Sequence, residues 1–216
     1  MEHLQQTIIL FDLDGTLTDS AEGVILSAQY MQEKMGIPKW EYEDLRFIVG
    51  PPLMATFQED FGMDKTRAEQ ALLYFRERYS TVGLFENKLY DGIEDMLSVL
   101  RAKGKRLAVA TSKKQASAIR ILEHFGIAGY FEVIGGDDQD AKRDTKAKVI
   151  DYVLDTMKVD KKDVIMVGDR KFDIDGAHSL GIPCIGVLYG YGSETEFTAH
   201  RADYIVATPK DISDIF

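Results

Sequence analysis

The sequence predicts an α/β fold, a mostly parallel sheet in a three-layer arrangement with a small all-helical domain inserted after the first strand. Three observations predict it. Short, continuous apolar runs recur along the chain, the pattern of strands buried on both faces. From Leu107 onward amphipathic helical stripes alternate with these runs, as βαβ units require. Between Leu17 and about Leu89 the alternation stops and only helical patterns remain.

The first run, Ile8-Ile9-Leu10-Phe11, ends abruptly in Asp12-Leu13-Asp14-Gly15-Thr16. Val24, Ile25, Ala28, Met31 and Met35 then form a helical stripe ended by Gly36-Ile37-Pro38. Ala68, Ala71, Leu72, Phe75 and Tyr79 form another, and Gly50-Pro51-Pro52 punctuates the stretch between. These stripes define the insertion, residues 17–89, leaving 1–16 and 90–216 as the core. Its entry and exit strands are expected near Thr16–Asp19 and Phe85–Asp91. Next come a helix carrying Ile93, Met96, Leu97 and Leu100, closed by Gly104, and a strand over Leu107–Ala110. A helix face of Ile119, Leu122 and Phe125 ends at Gly126. A strand at Phe131–Ile134 precedes a third stripe, Val149, Ile150, Val153, Leu154 and Met157. Strands at Val164–Val167, Cys184–Val187 and Tyr204–Ala207 complete the sheet. Open α/β sheets bind ligands beyond the carboxyl ends of their strands. An insertion leaving from the end of strand one is therefore placed to act as a lid.

Charge narrows the function classes. The chain has 216 residues and a net charge of −10, with no basic block. A nucleic-acid polymer needs a cationic surplus to release counterions, and an anionic membrane surface needs a basic face. Neither is a partner here, whereas a phosphorylated small molecule is compatible if a metal ion and a few lysines reverse the field locally. The single cysteine, Cys184, excludes an internal disulfide. It lies in the apolar run Ile182–Val187 and reads as a small buried hydrophobe rather than a reactive thiol. No signal peptide appears, and no run approaches the roughly 20 apolar residues of a membrane helix. The expected location is the cytoplasm.

Four features carry chemistry. Asp12 and Asp14 stand two apart at a strand end, so both side chains face one side. Asp-x-Asp-Gly is also ordinary turn chemistry. A second buried strand ends in Gly168-Asp169-Arg170-Lys171-Phe172-Asp173, and the spacing of Asp169 and Asp173 puts both acids on one face of a helix start. Read blandly, these are a cap and a surface acid. Yet strands delivering four acids to one sheet edge crowd like charges, which is costly unless a cation lies between them. All the donors are hard oxygens, suiting Mg²⁺. Third, Thr111-Ser112-Lys113 ends a strand in hydroxyls just before a helix, a phosphate site or simply an N-cap. Fourth, among Lys142, Lys146 and Lys148, Lys146 falls in the first turn of its helix, where a cation opposes the dipole. That position favours a site role over helix stability.

Together these residues resemble the haloacid-dehalogenase-like hydrolase superfamily along nearly the whole chain. Asp12-Leu13-Asp14-Gly15-Thr16-Leu17 with Asp19-Ser20 resembles its first motif, Thr111-Ser112 the second, Lys146 the third, and Gly168-Asp169 with Asp173 the fourth. The resemblance implies a Rossmann-like three-layer core. The helical insertion and Tyr90-Asp91-Gly92 resemble the phosphoglycolate-phosphatase-like branch with its helical cap. The third motif departs from that branch, having Lys142-Arg143-Asp144-Thr145-Lys146 in place of Lys-Pro-x-Pro. Val49-Gly50-Pro51-Pro52-Leu53, Gly168-Asp169-Arg170 and Gly186–Ser193 are closer to bacterial 5′-nucleotidase-like members.

The resemblance implies a Mg²⁺-dependent phosphatase acting on a small phosphomonoester. Asp12 is the implied nucleophile and Asp14 the acid and base, neutral at the outset in a crowd of carboxylates. Asp12, the Asp14 carbonyl, Asp169 and Asp173 are the implied metal ligands. Thr111, the Ser112 amide and Lys146 are the implied holders of the phosphoryl oxygens. An acid at position 14 argues against dehalogenation, since halide needs no proton. A sugar phosphomutase keeps both acids and remains an alternative. A signalling receiver is a remote one, being shorter and differently ordered. The expected substrates are, in order, a nucleoside 5′-monophosphate, phosphoglycolate and another small phosphomonoester.

The remaining features read as bland. Asp137, Asp138 and Asp140 are either a solvated loop or a second metal site. His3, His124, His178 and His200 lack zinc-ligand spacing. Gly190-x-Gly192 lacks the third glycine of a dinucleotide fingerprint. Trp40 is core or surface, and Arg46 an exposed helix arginine or a substrate contact.

Overall fold

Ile8–Phe11 (β1) has no polar residue and is buried throughout, which requires cover on both faces of the sheet. The computed structural model describes residues 4–51, 53–138 and 142–216. His3, Pro52 and Asp140, singled out in the sequence, lie outside the described residues.

From β1 the chain passes through Thr18–Asp19 (β2) into helices Ala21–Lys34 (α1), Leu53–Glu59 (α2) and Lys65–Arg78 (α3), and returns through Lys88–Leu89 (β3). It continues through Ile93–Ala102 (α4), Arg106–Lys114 (β4), Gln115–His124 (α5), Val133–Asp137 (β5), Lys146–Met157 (α6) and Val164–Gly168 (β6). Lys171–His178 (α7), Cys184–Val187 (β7), Glu194–Ala199 (α8), Tyr204–Val206 (β8) and Pro209–Asp214 (α9) complete it. Two compact units result: Met1–Thr18 with Leu89–Phe216, and Asp19–Lys88. The sequence places the insertion at 17–89, slightly wider than the second unit.

The first unit is a six-stranded parallel sheet in the order β5-β4-β1-β6-β7-β8, with helices on both sides. β1 lies between β4 and β6, so the chain winds outward on one side of it and then returns to wind outward on the other. That reversal opens the crevice at the carboxyl ends of the central strands. On one face Leu10, Ala108, Ala110 and Met166 pack against Val149, Val153 and Ile174 of the covering helices. Gly135 is a requirement of this packing, because a Cβ there would lie 2.3 Å from Val153 Cγ2. On the other face the Phe11 ring meets Phe131 edge-on at 6.3 Å.

In the second unit α1 packs on α3. Gly23 lets the chain approach Gly83 so closely that a Cβ would lie 1.9 Å from the Gly83 carbonyl oxygen. Arg78 binds Glu86 through two hydrogen bonds of 2.6 and 2.7 Å. Trp40 stacks on Phe61 at 4.7 Å, so it belongs to an aromatic cluster although its edge is exposed. Arg46 is exposed and pairs with Glu43 at 3.4 Å.

Several boundaries differ from the sequence reading. The strand expected over Leu107–Ala110 extends to Lys114, with a register shift against β5 between Ala110 and Lys114. Thr111 and Ser112 therefore do not cap α5; its N-cap is Lys114. The strand expected from Phe131 begins at Val133, because a 3-10 turn over Ala128–Tyr130 precedes it and Phe131 caps that turn. The strand expected through Ala207 ends at Val206, since the Asp211 carboxylate takes the backbone N–H groups of Ala207 and Thr208 to start α9. The buried face of α5 is Ala118, Ile121 and Leu122; only Leu122 of the expected Ile119, Leu122 and Phe125 is among them. The helical period was right and its phase wrong, because the small Ala118 is what faces the sheet.

Candidate active site

Backbone register builds the site. β1 and β6 pair with Phe11 beside Val167, and the Asp12 N–H continues the ladder to the Val167 carbonyl at 2.9 Å. The residues that follow, Asp12 on one strand and Gly168-Asp169 on the other, are brought together at the carboxyl edge. Asp169 precedes α7, whereas Asp173 lies within its first turn and accepts the Arg170 N–H at 3.1 Å. Gly168 is needed here, because a Cβ would lie 2.2 Å from the Asp173 carboxyl carbon.

Asp12, Asp169 and Asp173 each offer a carboxylate oxygen, all within 4.8 Å of one another. Lys146, the first residue of α6 and buried, joins them. Its Nζ lies 2.9 Å from Asp12 Oδ1, 2.7 Å from Asp173 Oδ1 and 3.0 Å from the Ala110 carbonyl oxygen. The contact with the Ala110 carbonyl is a hydrogen bond, and the two carboxylate contacts are ion pairs. Burial opposes its charge, but Asp12 and Asp173 outweigh burial and hold Lys146 above its ordinary range. Burial pushes the Asp173 carboxyl up to about 6 against the pull of Lys146. Asp169 is raised well above the carboxylate range by burial and then by the charges of Asp173 and Asp12.

A small divalent cation fits this arrangement. The donors are oxygens alone, and with all three carboxyls ionised one ammonium would leave two negative charges for a cation to compensate. Mg²⁺ takes oxygen at about 2.0–2.1 Å, so opposite ligands lie about 4.2 Å apart, a separation inside the 4.8 Å that bounds these oxygens. Asp169 is already oriented for such a role. It accepts the Tyr191 N–H at 2.9 Å and the Thr16 hydroxyl at 3.4 Å. The Tyr189 hydroxyl donates to the Thr16 carbonyl at 3.0 Å. Gly15, at φ 82°, and Gly190 admit this loop, since a Cβ on either would come within 2.4 Å of an Asp169 atom.

Asp14 does not join the three acids. Its carboxylate is ion-paired with Lys113, so it meets a cation rather than the crowd of acids expected from the sequence. Thr111 is buried and accepts the Lys113 N–H at 3.2 Å; Ser112 is exposed. Lys148 pairs with Asp144, leaving Lys146 as the lysine at the acids. Asp138 accepts the backbone N–H groups of Lys142 and Arg143 and pairs with Arg143, so it closes a loop.

The model of the haloacid dehalogenase-like hydrolase family matches residues 9–187. The chain belongs to that family. A 5′-nucleotidase of Pseudomonas aeruginosa is 41% identical over 199 residues, covering 92% of this chain and 90% of that protein. Tyrosine-protein kinase PtkA of Mycobacterium tuberculosis is 42% identical over 201 residues, covering 93% of this chain and 66% of that protein. The crystal structure of a predicted phosphatase from Clostridium acetobutylicum superposes with a TM-score of 0.92 at 43% identity, covering 98% of each chain. Membership and these neighbours make the protein a phosphomonoester hydrolase.

Within this hydrolase two features escaped the sequence. Lys113 stands beside Thr111-Ser112 but gives no signal of its own, because its partner is 99 residues away. The Tyr189–Tyr191 segment was legible as part of the run that resembles 5′-nucleotidase-like members, but the Asp169 carboxylate it holds is fixed by the fold. Among the described residues no helix is long and apolar enough to cross a membrane.

Proposed function

We propose that this hydrolase cleaves a small phosphomonoester, foremost a nucleoside 5′-monophosphate, with Asp12 as the nucleophile. The observation that carries this is the cluster of Asp12, Asp169 and Asp173 around Lys146 at the sheet's carboxyl edge. The 5′-nucleotidase relative supports the choice of substrate.

Asp12 forms a bond to phosphorus in line with the leaving group, and the phosphorus–oxygen bond breaks with its electron pair staying on the departing oxygen. Asp14 gives that oxygen a proton. The aspartyl-phosphate is then hydrolysed by water, whose proton Asp14 takes, which divides one difficult displacement into two. Mg²⁺ would be held by Asp12, Asp169 and the Asp14 carbonyl, with Asp173 ligating directly or through water. When bound, the ion neutralises charge on the phosphoryl oxygens. Thr111 and the Ser112 amide hold those oxygens. Lys146 joins them with its charge and pairs with Asp12 and Asp173.

Phosphate release from a panel of nucleoside monophosphates, phosphoglycolate and sugar phosphates, with Mg²⁺ and with EDTA, tests the proposal. Nucleotide preference is the expected result. Isomerisation of a sugar phosphate without release would replace the hydrolase by a mutase. Asp12→Asn is expected to abolish release from 4-nitrophenyl phosphate, and full turnover would remove Asp12 from the nucleophile role.

A further inference from the structure

We propose that Lys113 is a positioning residue for the reaction, clamping one oxygen of Asp14 so that the other faces the leaving group. The inference rests on the role given to Asp14 above. Lys113 Nζ contacts Asp14 Oδ2 in an ion pair whose side chains are 10% and 21% exposed. The other oxygen, Oδ1, is buried and has no hydrogen-bond partner among the described residues. A buried acceptor left unpaired is costly, and here it marks the oxygen kept available for a substrate atom.

The clamp is built by the backbone. The end of β4 is irregular between Ala110 and Lys114. The Lys113 N–H is fixed on Thr111 Oγ1, and Gly136 lets the neighbouring strand approach so closely that a Cβ would lie 2.6 Å from the Lys113 carbonyl oxygen. Gly15, in the left-handed region, turns the chain after Asp14, and its N–H donates to the Thr18 carbonyl at 2.7 Å. Lys113 is thus anchored in β4 and Asp14 in the turn after β1, where it bridges to Thr18, and a free aspartate rotor becomes a single orientation.

The chemistry is compatible with both half-reactions. When Asp14 carries its proton on Oδ1, Oδ2 is the carbonyl-like oxygen and still accepts from the ammonium. When Oδ1 has given that proton to the leaving oxygen, Oδ2 accepts as a carboxylate oxygen. Lys113 neither gains nor loses a proton in this cycle.

Leaving-group dependence separates this role from others. Release from an aryl phosphate, 4-nitrophenyl phosphate, needs little protonation of the departing oxygen, whereas an alkyl phosphate, propyl phosphate, depends on it. General acid catalysis contributes about 10²–10⁴-fold, so a misplaced acid loses part of that on the alkyl ester alone. For Lys113→Gln the expected kcat/KM falls at least about tenfold more on propyl phosphate than on 4-nitrophenyl phosphate. Lys113→Arg restores much of the ratio, and thermal unfolding confirms that each variant is folded. An equal loss on both esters, entered through KM, would make Lys113 a phosphate ligand and overturn the inference. An unchanged ratio in Lys113→Gln overturns it as well. Asp14→Asn is the control. If Asp14→Asn shows the alkyl-selective loss and Lys113→Gln does not, only the clamp fails. If Asp14→Asn shows none, the acid role itself fails.

Discussion

Replacing Lys146 by methionine keeps most of the aliphatic stem and removes the charge shared by the buried Asp173 and the half-buried Asp12. In the protein Lys146 Nζ is 2.9 Å from Asp12 and 2.7 Å from Asp173, and the lysine and Asp173 side chains are 4% and 1% exposed. Truncating one partner of a buried ion pair costs about 3–5 kcal/mol, because the remaining charge is left in a poorly polarisable setting. For a chain of this length each kcal/mol moves Tm by about 2–4 °C. Lys146→Met is therefore expected to melt roughly 6–20 °C below the parent in EDTA. The same change removes a cation that competes with a divalent ion for these oxygens. Saturating Mg²⁺, at about 100 times its Kd, stabilises by about 2.7 kcal/mol. At one fixed Mg²⁺ concentration the variant is expected to gain more than the parent, its Kd being lower. Differential scanning fluorimetry with EDTA and with Mg²⁺ measures both quantities. An unchanged Tm in EDTA, or a Mg²⁺ shift no larger than the parent's, would refute the view that Lys146 is the resident counter-charge of the acid cluster.

Three further outcomes follow from the same geometry. Gly190→Ala sets a methyl group about 2.2 Å from the Gly15 carbonyl oxygen and 2.4 Å from Asp169 Cβ. It is expected to lower stability by about 1–3 kcal/mol through overpacking and to weaken Mg²⁺ binding, read by denaturant unfolding and by Mg²⁺ titration. Cys184 is buried, and burial pushes its thiol well above the ordinary range. The folded protein is expected to resist iodoacetamide, and Cys184→Ala to keep its activity; rapid alkylation with loss of turnover would return the thiol to the site. Glu132 lies below its ordinary value, first through its hydrogen bonds with Arg106. A depressed carboxyl stabilises fully above the ordinary glutamate range and loses that contribution as pH falls through the folded value. Glu132→Gln is expected to flatten the acid side of the Tm–pH curve, and an unchanged slope would show the pair to be screened away by solvent.

The central strands were legible because a strand buried on both faces must be apolar throughout, as Ile8–Phe11 and Val164–Val167 are. The helices of the core were legible from their period, as with Ile93, Met96, Leu97 and Leu100. Strand ends were less so. The extra length of β4 depends on Lys113 bonding to Thr111 and on Gly136 in the neighbouring strand. The late start of β5 depends on a turn whose end packs on Phe11. Neither is a property of its own segment.

By itself the sequence determined that acids, hydroxyls and a lysine stand at strand ends, because each identity and each local periodicity is written in neighbouring residues. Only the tertiary structure decided which of them meet. Strand register brings Asp12 to Asp169, and α6 lays Lys146 between Asp12 and Asp173. The irregular end of β4 carries Lys113, which pairs with Asp14, and Asp14 stands outside the group of the other three acids. Spacing along a strand or helix constrains direction only within that element. Contacts between side chains of distant segments depend on the register and packing of all the elements together.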